Sequence, residues 1–208
     1  LFPRRIDTGV QRQLFALGTP VALTQMLNGG MFSAAAVLVG IIGATTLAAQ
    51  QIVYGVMYLA FSLAGGFGDT IRVRVAYGVG LGDIAAARRS ARIALGLAAV
   101  ATLVATLLLW LFPAQLVSVF LDTRDADNRE VLATAVSLSV PAGLFLFLDG
   151  TQYVLANALR GLRDTRSPLW ISLLGYWALG LGSAVVLCFV FDLGAPGLWW
   201  GLVAGVLL

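Results

Sequence analysis

The chain has 208 residues, 60% of them hydrophobic and only 11% charged, with a formal net charge of +3 and a mean hydropathy of +0.93. An ordinary soluble domain carries roughly twice that charge, so the apolar surplus has to face lipid rather than fill a core, and the length suits about six spans of roughly 20 residues with short loops. All 13 basic residues are arginine and histidine is absent, which excludes imidazole metal sites and imidazole acid–base pairs, while the single thiol, Cys188 in an apolar run, has no disulfide partner within the chain.

The opening residues, Leu1-Phe2-Pro3-Arg4-Arg5, hold neither an initiator methionine nor the apolar stretch of a cleavable signal peptide. The last apolar run is still open at Leu208, so both ends are expected to be cuts within a longer protein. Between them lie six apolar runs, at about 14–42, 47–79, 84–112, 131–159, 168–191 and 195–208, the last about five residues short of a full span. Helices are the only sensible reading, because lipid cannot satisfy an open strand and the runs are too long and too uniformly apolar for barrel strands. Pro168 and Pro196 fall at first helical turns, where a missing N–H costs nothing, and Pro20 and Pro141 lie early in long helices. Gly29-Gly30 and Gly65-Gly66 lie mid-membrane, where they permit either close helix contact or a local bend.

Charge on the connections gives a topology. Arg4, Arg5 and Arg12 precede the first run; Arg72, Arg74, Arg88, Arg89 and Arg92 border the second connection; Arg160, Arg163 and Arg166 border the fourth. The intervening connections are uncharged (Gly43–Thr46), acidic (Asp122, Arg124, Asp125, Asp127, Arg129 and Glu130, net −2) or carry Asp192 alone. Eleven of the 13 arginines therefore fall on one side, which the positive-inside rule assigns to the cytoplasm together with the N-terminus. The pI near 9.5 thus reflects orientation, and no nucleic-acid partner is expected.

One acid stands out within a run. Asp149 lies about 10 residues before Arg160, roughly 15 Å along a helix, and so near the middle of the bilayer. A charged carboxylate there costs about 2.5–3.5 kcal/mol even on the lenient insertion scale. A carboxyl group at that depth is prone to hold a proton, and one that exchanges a proton or a sodium ion while facing either side is what ion coupling requires. Gln152, Tyr153, Asn157 and Arg160 follow at i+3, i+4, i+8 and i+11 on one helix face. Gln51, Tyr54 and Tyr58, beside Gln50, make a stripe on the second helix, as do Gln25, Asn28 and Phe32 on the first. Aromatic faces beside one carboxylate suit a lipophilic cation; any single amide in these stripes also serves as interhelical glue. Asp69, three residues before Arg72, reads as a surface ion pair or as a gating or secondary cation site. The run Gly78-Val-Gly-Leu-Gly82 joins two membrane helices and lacks a following lysine, so it does not read as a phosphate loop.

Several stretches together resemble the multidrug and toxic compound extrusion (MATE) transporters, and specifically their C-terminal six-helix half. They are Leu17-Gly-Thr-Pro-Val-Ala-Leu23, Leu47-Ala-Ala-Gln-Gln-Ile52, Arg74-Val-Ala-Tyr-Gly-Val-Gly-Leu-Gly-Asp83 with Ala85-Ala-Ala-Arg-Arg89, and the segment from Asp149-Gly-Thr-Gln-Tyr-Val-Leu-Ala-Asn157 through Arg166 to Pro168. Gly175-Tyr-Trp177 and Leu193-Gly-Ala-Pro-Gly-Leu-Trp199 extend the likeness over nearly the whole chain. The resemblance implies an all-α integral membrane bundle of six helices, one lobe of a twelve-helix transporter whose two lobes enclose a cavity open alternately to each side. It implies ion-driven export of amphipathic and cationic compounds across the bacterial cytoplasmic membrane, and it matches Asp149 to the acidic position of this half's fourth helix. The sequence departs from many relatives in carrying Asn28 where they have glutamate, and Asp69 near where they often have glutamine.

The resulting expectation is a secondary active multidrug antiporter, not an enzyme, with Asp149 as the cation-coupling group for H+ or Na+. Asn28, Gln51, Tyr54, Gln152, Tyr153 and Asn157 are the expected cavity residues, and an N-terminal six-helix half and the lipid bilayer are the expected partners. No resident cofactor or metal is expected beyond Na+ at Asp149. Two rivals are a lipid-linked oligosaccharide flippase of the same superfamily, which calls for a more cationic cavity, and a lipid-modifying membrane enzyme, which calls for acids, histidine or a nucleophile clustered at one face. A purely structural six-helix subunit is disfavoured by the buried polar stripes.

Overall fold

The computed structural model describes residues 8–122, 125 and 128–207; Arg4, Arg5, Arg124 and Asp127, used above for topology, lie outside the described residues. The elements among the described residues are all helices: α1 (Thr8–Ile42), α2 (Ala44–Gly80), α3 (Ile84–Leu111), the short α4 (Pro113–Val117), α5 (Arg129–Gly161), α6 (Arg166–Val190) and α7 (Gly194–Val206). α1, α2, α3, α5 and α6 are each long and apolar enough to cross a membrane. The 13 residues of α7 extend only about 20 Å, short of the roughly 30 Å hydrocarbon core.

Two connections at the arginine-bearing end close in the same way. α2 ends with Gly82 at φ 75°, while Gly82 N donates to Val79 O (3.0 Å) and Asp83 N to Gly78 O (2.9 Å). This is a Schellman ending, in which the left-handed residue lets the last carbonyls find donors. Asp83 then caps α3 by accepting from Ala86 N at 2.8 Å, and Gly78 leaves room for Ala87 to pack against α2. The glycine-rich run is thus accounted for by the helix turn. α5 ends likewise, with Arg163 at φ 64°, Arg163 N on Arg160 O and Asp164 N on Leu159 O, both 3.0 Å.

α5 is the central helix. It packs against α2, α3, α6 and α7, and its apolar window is the most buried of the five spans. Its glycines face its neighbours: a Cβ at Gly150 would meet Thr102 of α3 at 2.5 Å, and one at Gly161 would meet the carbonyl of Arg72 on α2 at 2.7 Å. Across the same α3–α5 seam Thr106 Oγ1 donates to Gly143 O (2.7 Å) and Trp110 Nε1 to Val140 O (3.0 Å). Such close contact by small residues and cross-helix hydrogen bonds is how helices associate where lipid offers no hydrophobic drive.

α6 departs from what its sequence suggests. Its apolar run reads as a regular α-helix, yet Ser172–Leu181 and Val186–Val190 are wound as π-helix. Gly175 and Gly180 of the first π segment lie directly on the backbone of Gly205, and Gly201 lies on Ala184, so α6 and α7 meet backbone to backbone. Ser183 Oγ bonds Gly201 O across this contact at 3.0 Å. Of the mid-membrane glycine pairs, Gly30 supports a close contact, with the Trp177 ring 3.1 Å from where its Cβ would sit, whereas Gly65 and Gly66 face open space. Trp177 Nε1 also donates to Leu27 O at 3.0 Å, tying α6 to α1.

Candidate functional site: a cavity with one acid

α1, α2, α5, α6 and the end of α7 enclose an open cavity of about 1260 Å³. α1 contributes Gln25, Asn28 and Phe32; α2 contributes Gln51, Tyr54, Tyr58 and Phe61; α5 runs along it from Phe145 to Arg160; α6 adds Ser172 and Tyr176. Most of this wall is apolar or aromatic, the composition that binds organic ligands by burial while a few polar groups set orientation.

The aromatic part of the wall is built from mutual edge contacts. Phe32 lies 5.3 Å from Tyr54 and 5.9 Å from Phe145, and Trp199 behind them lies 5.4 Å from Tyr54 and 5.8 Å from Phe145, all edge-on. Phe61 and Tyr153 form a second such pair at 5.2 Å. Edge-to-face packing satisfies the ring quadrupoles and stiffens the wall.

Asp149 is the one acid lining the cavity among the described residues. It is partly open to the cavity, and no arginine pairs with it among the described residues. Its Oδ1 accepts a hydrogen bond from Tyr176 Oη of α6, and the same phenol lies 2.6 Å from Gln152 Oε1, one turn along α5. Tyr176 itself is buried. A hydrogen bond to a charged group contributes about 1.5–3 kcal/mol, comparable with the cost of placing the carboxylate at this depth.

The structure gathers Asn28, Gln51, Tyr54, Asp149, Gln152 and Tyr153 around this cavity. Asn28 Oδ1 is buried there without a hydrogen-bond partner among the described residues. One expected cavity residue is placed elsewhere. Asn157 is fully buried between α5 and α2, where its Nδ2 donates to Tyr153 O at 3.0 Å and sits where a Cβ on Gly68 would be. A residue eight positions beyond Asp149 is turned about 80° around the helix, enough to carry Asn157 from the cavity into the α2 contact. Asp69 lies outside the cavity lining on an exposed face of α2, 3.2 Å from Arg72. Gln50, beside the expected stripe, is fully buried behind the wall, its Nε2 3.2 Å from Tyr54 Oη. Tyr176 was not expected; the available signal was a phenol within a long apolar run, which needs a partner once buried. Among the described residues no group of three or more acidic, cysteine or histidine side chains is arranged to hold a metal. Oxygen ligands for a monovalent cation are present in Asp149, Gln152 and Tyr176.

The MatE family model matches residues 20–186. The chain belongs to the MatE family. Multidrug resistance protein NorM of Burkholderia vietnamiensis is 41% identical over 93% of this chain, and the probable multidrug resistance protein NorM of Pseudomonas aeruginosa is 38% identical over 97%. These alignments cover 42% and 41% of the two relatives, so the chain spans less than half the length of the curated proteins it matches. Among solved structures, that of MATE in complex with MaL6 superimposes on 97% of the chain with a TM-score of 0.85 at 17% identity, and covers 45% of that protein. The eukaryotic MATE transporter AtDTX14 gives 0.83 at 20% identity over 97% of the chain and 45% of its own. At such identities the likeness establishes the fold: a multi-pass helical bundle equivalent to one half of a MATE structure.

Proposed function

We propose that the chain is one six-helix lobe of a secondary active multidrug transporter, which exports amphipathic or cationic compounds in exchange for protons or sodium ions by alternating access. The observation that carries this reading is Asp149, the one carboxyl group lining a large aromatic cavity within the membrane-spanning segments and without an arginine partner among the described residues. Aromatic walls take up a lipophilic body of variable shape, and the carboxylate supplies the one fixed charge that a cationic drug and a coupling ion compete for. Competition for one site is enough to couple the two: the ion displaces the drug on one side of the membrane and the drug displaces the ion on the other. Tyr176 and Gln152, 2.6 Å apart beside the carboxyl group, are the neighbours that this reading assigns to either occupant.

A second six-helix lobe facing this cavity would close it, which agrees with the share of its relatives that the chain covers. The arginine-bearing connections are assigned to the cytoplasmic side of a bacterial inner membrane. A flippase for pyrophosphate-linked sugars is less favoured, since Arg160 is the one cavity-lining cation among the described residues. The test is efflux of a fluorescent cationic dye from proteoliposomes carrying both lobes, under an imposed proton or sodium gradient. Asp149→Asn should insert and fold yet lose gradient-driven efflux, and normal efflux by that variant would remove Asp149 from the mechanism.

A further inference from the structure

α3 stands apart from the cavity. It packs against α2, α4 and α5 and contributes nothing to the cavity wall. Its other face is bare, and that face changes character along the helix. Near the N-terminal end Ile84, Ala85, Arg88, Arg89 and Arg92 surround one open recess, and all three arginines are exposed. At about 100° per residue, positions 85, 88, 89, 92, 96, 100, 103 and 107 keep within about 60° of one line down the helix. Beyond Arg92 that line carries Gly96, with nothing within 4 Å of where its Cβ would sit, and then the exposed Val100, Leu103 and Leu107. Residues 93–111 hold no charge and extend about 28 Å, close to the thickness of the hydrocarbon core. The arginines therefore stand in the headgroup layer, and the apolar line below them faces acyl chains.

The helix alone gives these arginines nothing to bind. Arg92 is one turn from both Arg88 and Arg89, so like charges face each other. The first turn of α3 holds no acid, and Asp83 is engaged with Ala86 N as the helix cap. None of the three arginines is in an ion pair among the described residues. Positive charge anywhere on the α2–α3 connection would satisfy the positive-inside rule. Its collection on the one face that continues as an exposed apolar line needs a further cause.

We propose that this face of α3 is a docking site for an anionic phospholipid. Its phosphate is held by Arg88, Arg89 and Arg92, and one acyl chain lies along Gly96, Val100, Leu103 and Leu107. Guanidinium groups present paired N–H donors that match phosphate oxygens, and basic clusters at a membrane surface draw anionic headgroups. The bound charge relieves the repulsion among the three side chains, and Gly96 leaves room for the chain directly below them. A zwitterionic lipid has the same phosphate but brings its own cation into the cluster, so it binds less well. A second protein lobe closing the cavity is a poor occupant, because α2 and α5, which line the cavity, are the helices that α3 packs behind.

Native mass spectrometry tests this on the full-length transporter that carries the chain, purified in detergent and titrated with phosphatidylglycerol or phosphatidylcholine. Wild type should bind phosphatidylglycerol more tightly than phosphatidylcholine. Each of Arg88→Gln, Arg89→Gln and Arg92→Gln should weaken phosphatidylglycerol binding about fivefold, and all three together about a hundredfold. A control carrying Arg12→Gln, Arg163→Gln and Arg166→Gln, which removes the same charge from other exposed positions, should bind as wild type does. Each single variant keeps the other arginines that orient the chain, so its affinity can be read even where the triple variant fails to insert. Equal affinity of wild type for the two lipids overturns the proposal, as does a control that loses as much as the α3 variants. Displacement of the lipid by millimolar inorganic phosphate would mark a free-anion site and overturn it as well. None of these readings involves Asp149, so lipid docking and ion-coupled efflux stand or fall separately.

Discussion

Asp69 and Asp149 are both carboxylates within long apolar helices, but they occupy opposite kinds of place. Asp69 projects from α2 near its arginine-bearing end, where its side chain is 64% exposed, that of Arg72 is 46% exposed, and the two meet at 3.2 Å. Asp149 sits midway along α5 against the interior of the bundle, and its partners are a phenol and an amide. The first acid is held by a neighbour on its own helix and loses little if that neighbour goes. The second depends on α6 being wound and packed so that Tyr176 reaches across to α5. On the proposed reading, what sets Asp149 apart is the absence of a fixed countercharge among the described residues, because only an uncommitted carboxylate can exchange occupants.

The comparison breaks most readily through the acids themselves. Asp149→Asn is expected to reduce gradient-driven dye efflux to the leak of empty liposomes, whereas Asp69→Asn should leave efflux close to wild type in the same assay. A next smaller effect lies behind Asp149, where Gly150 abuts Thr102 and Ala64. Gly150→Val should force α3 and α5 apart at a cost of about 1–3 kcal/mol, read as a lowered melting temperature in detergent, while Gly65→Ala, with open space around it, should leave stability unchanged or slightly raised.

Asp69→Asn itself should cost at most about 0.2–1 kcal/mol, the worth of an exposed ion pair, and the cost should shrink in high salt. The smallest effect concerns Asp164, in the turn before α6, which accepts from Ser167 Oγ (2.6 Å), Ser167 N (3.0 Å) and Arg166 N (3.2 Å). The Ser167 hydroxyl and amide hold this carboxyl group below its ordinary value. A depressed carboxyl group stabilises the fold above its unfolded value and loses that contribution as pH falls through its folded one. The melting-temperature gap between wild type and Asp164→Ala should therefore be small at neutral pH and close on acidification.

Much of this architecture is legible from residue order because lipid imposes long apolar runs and the arginines mark alternate ends. Asp149, Gln152 and Tyr153 could be read as one face because i, i+3 and i+4 stay within a narrow arc of a helix. The same reasoning failed eight residues on at Asn157, where the accumulated turn points into α2 and Gly68 makes the space for it. Tyr176 was hidden because it lies 27 residues from Asp149 on another helix, and no local spacing encodes a contact between helices. The π-helical winding of Ser172–Leu181 was hidden too, since an apolar run shows no period that separates π from α turns. What marks it in hindsight is Gly175 and Gly180 meeting Gly205, and that signal needs both helices in view.

The central claim is that drug and coupling ion compete for one carboxyl group. Proton release tests it directly: a cationic dye is added to the purified protein in weakly buffered detergent at a pH where Asp149 is protonated, and the liberated protons are counted with an indicator. The account predicts about one proton released per dye bound by wild type and none by Asp149→Asn. Equal release by both proteins, or dye binding to wild type without release, would contradict it.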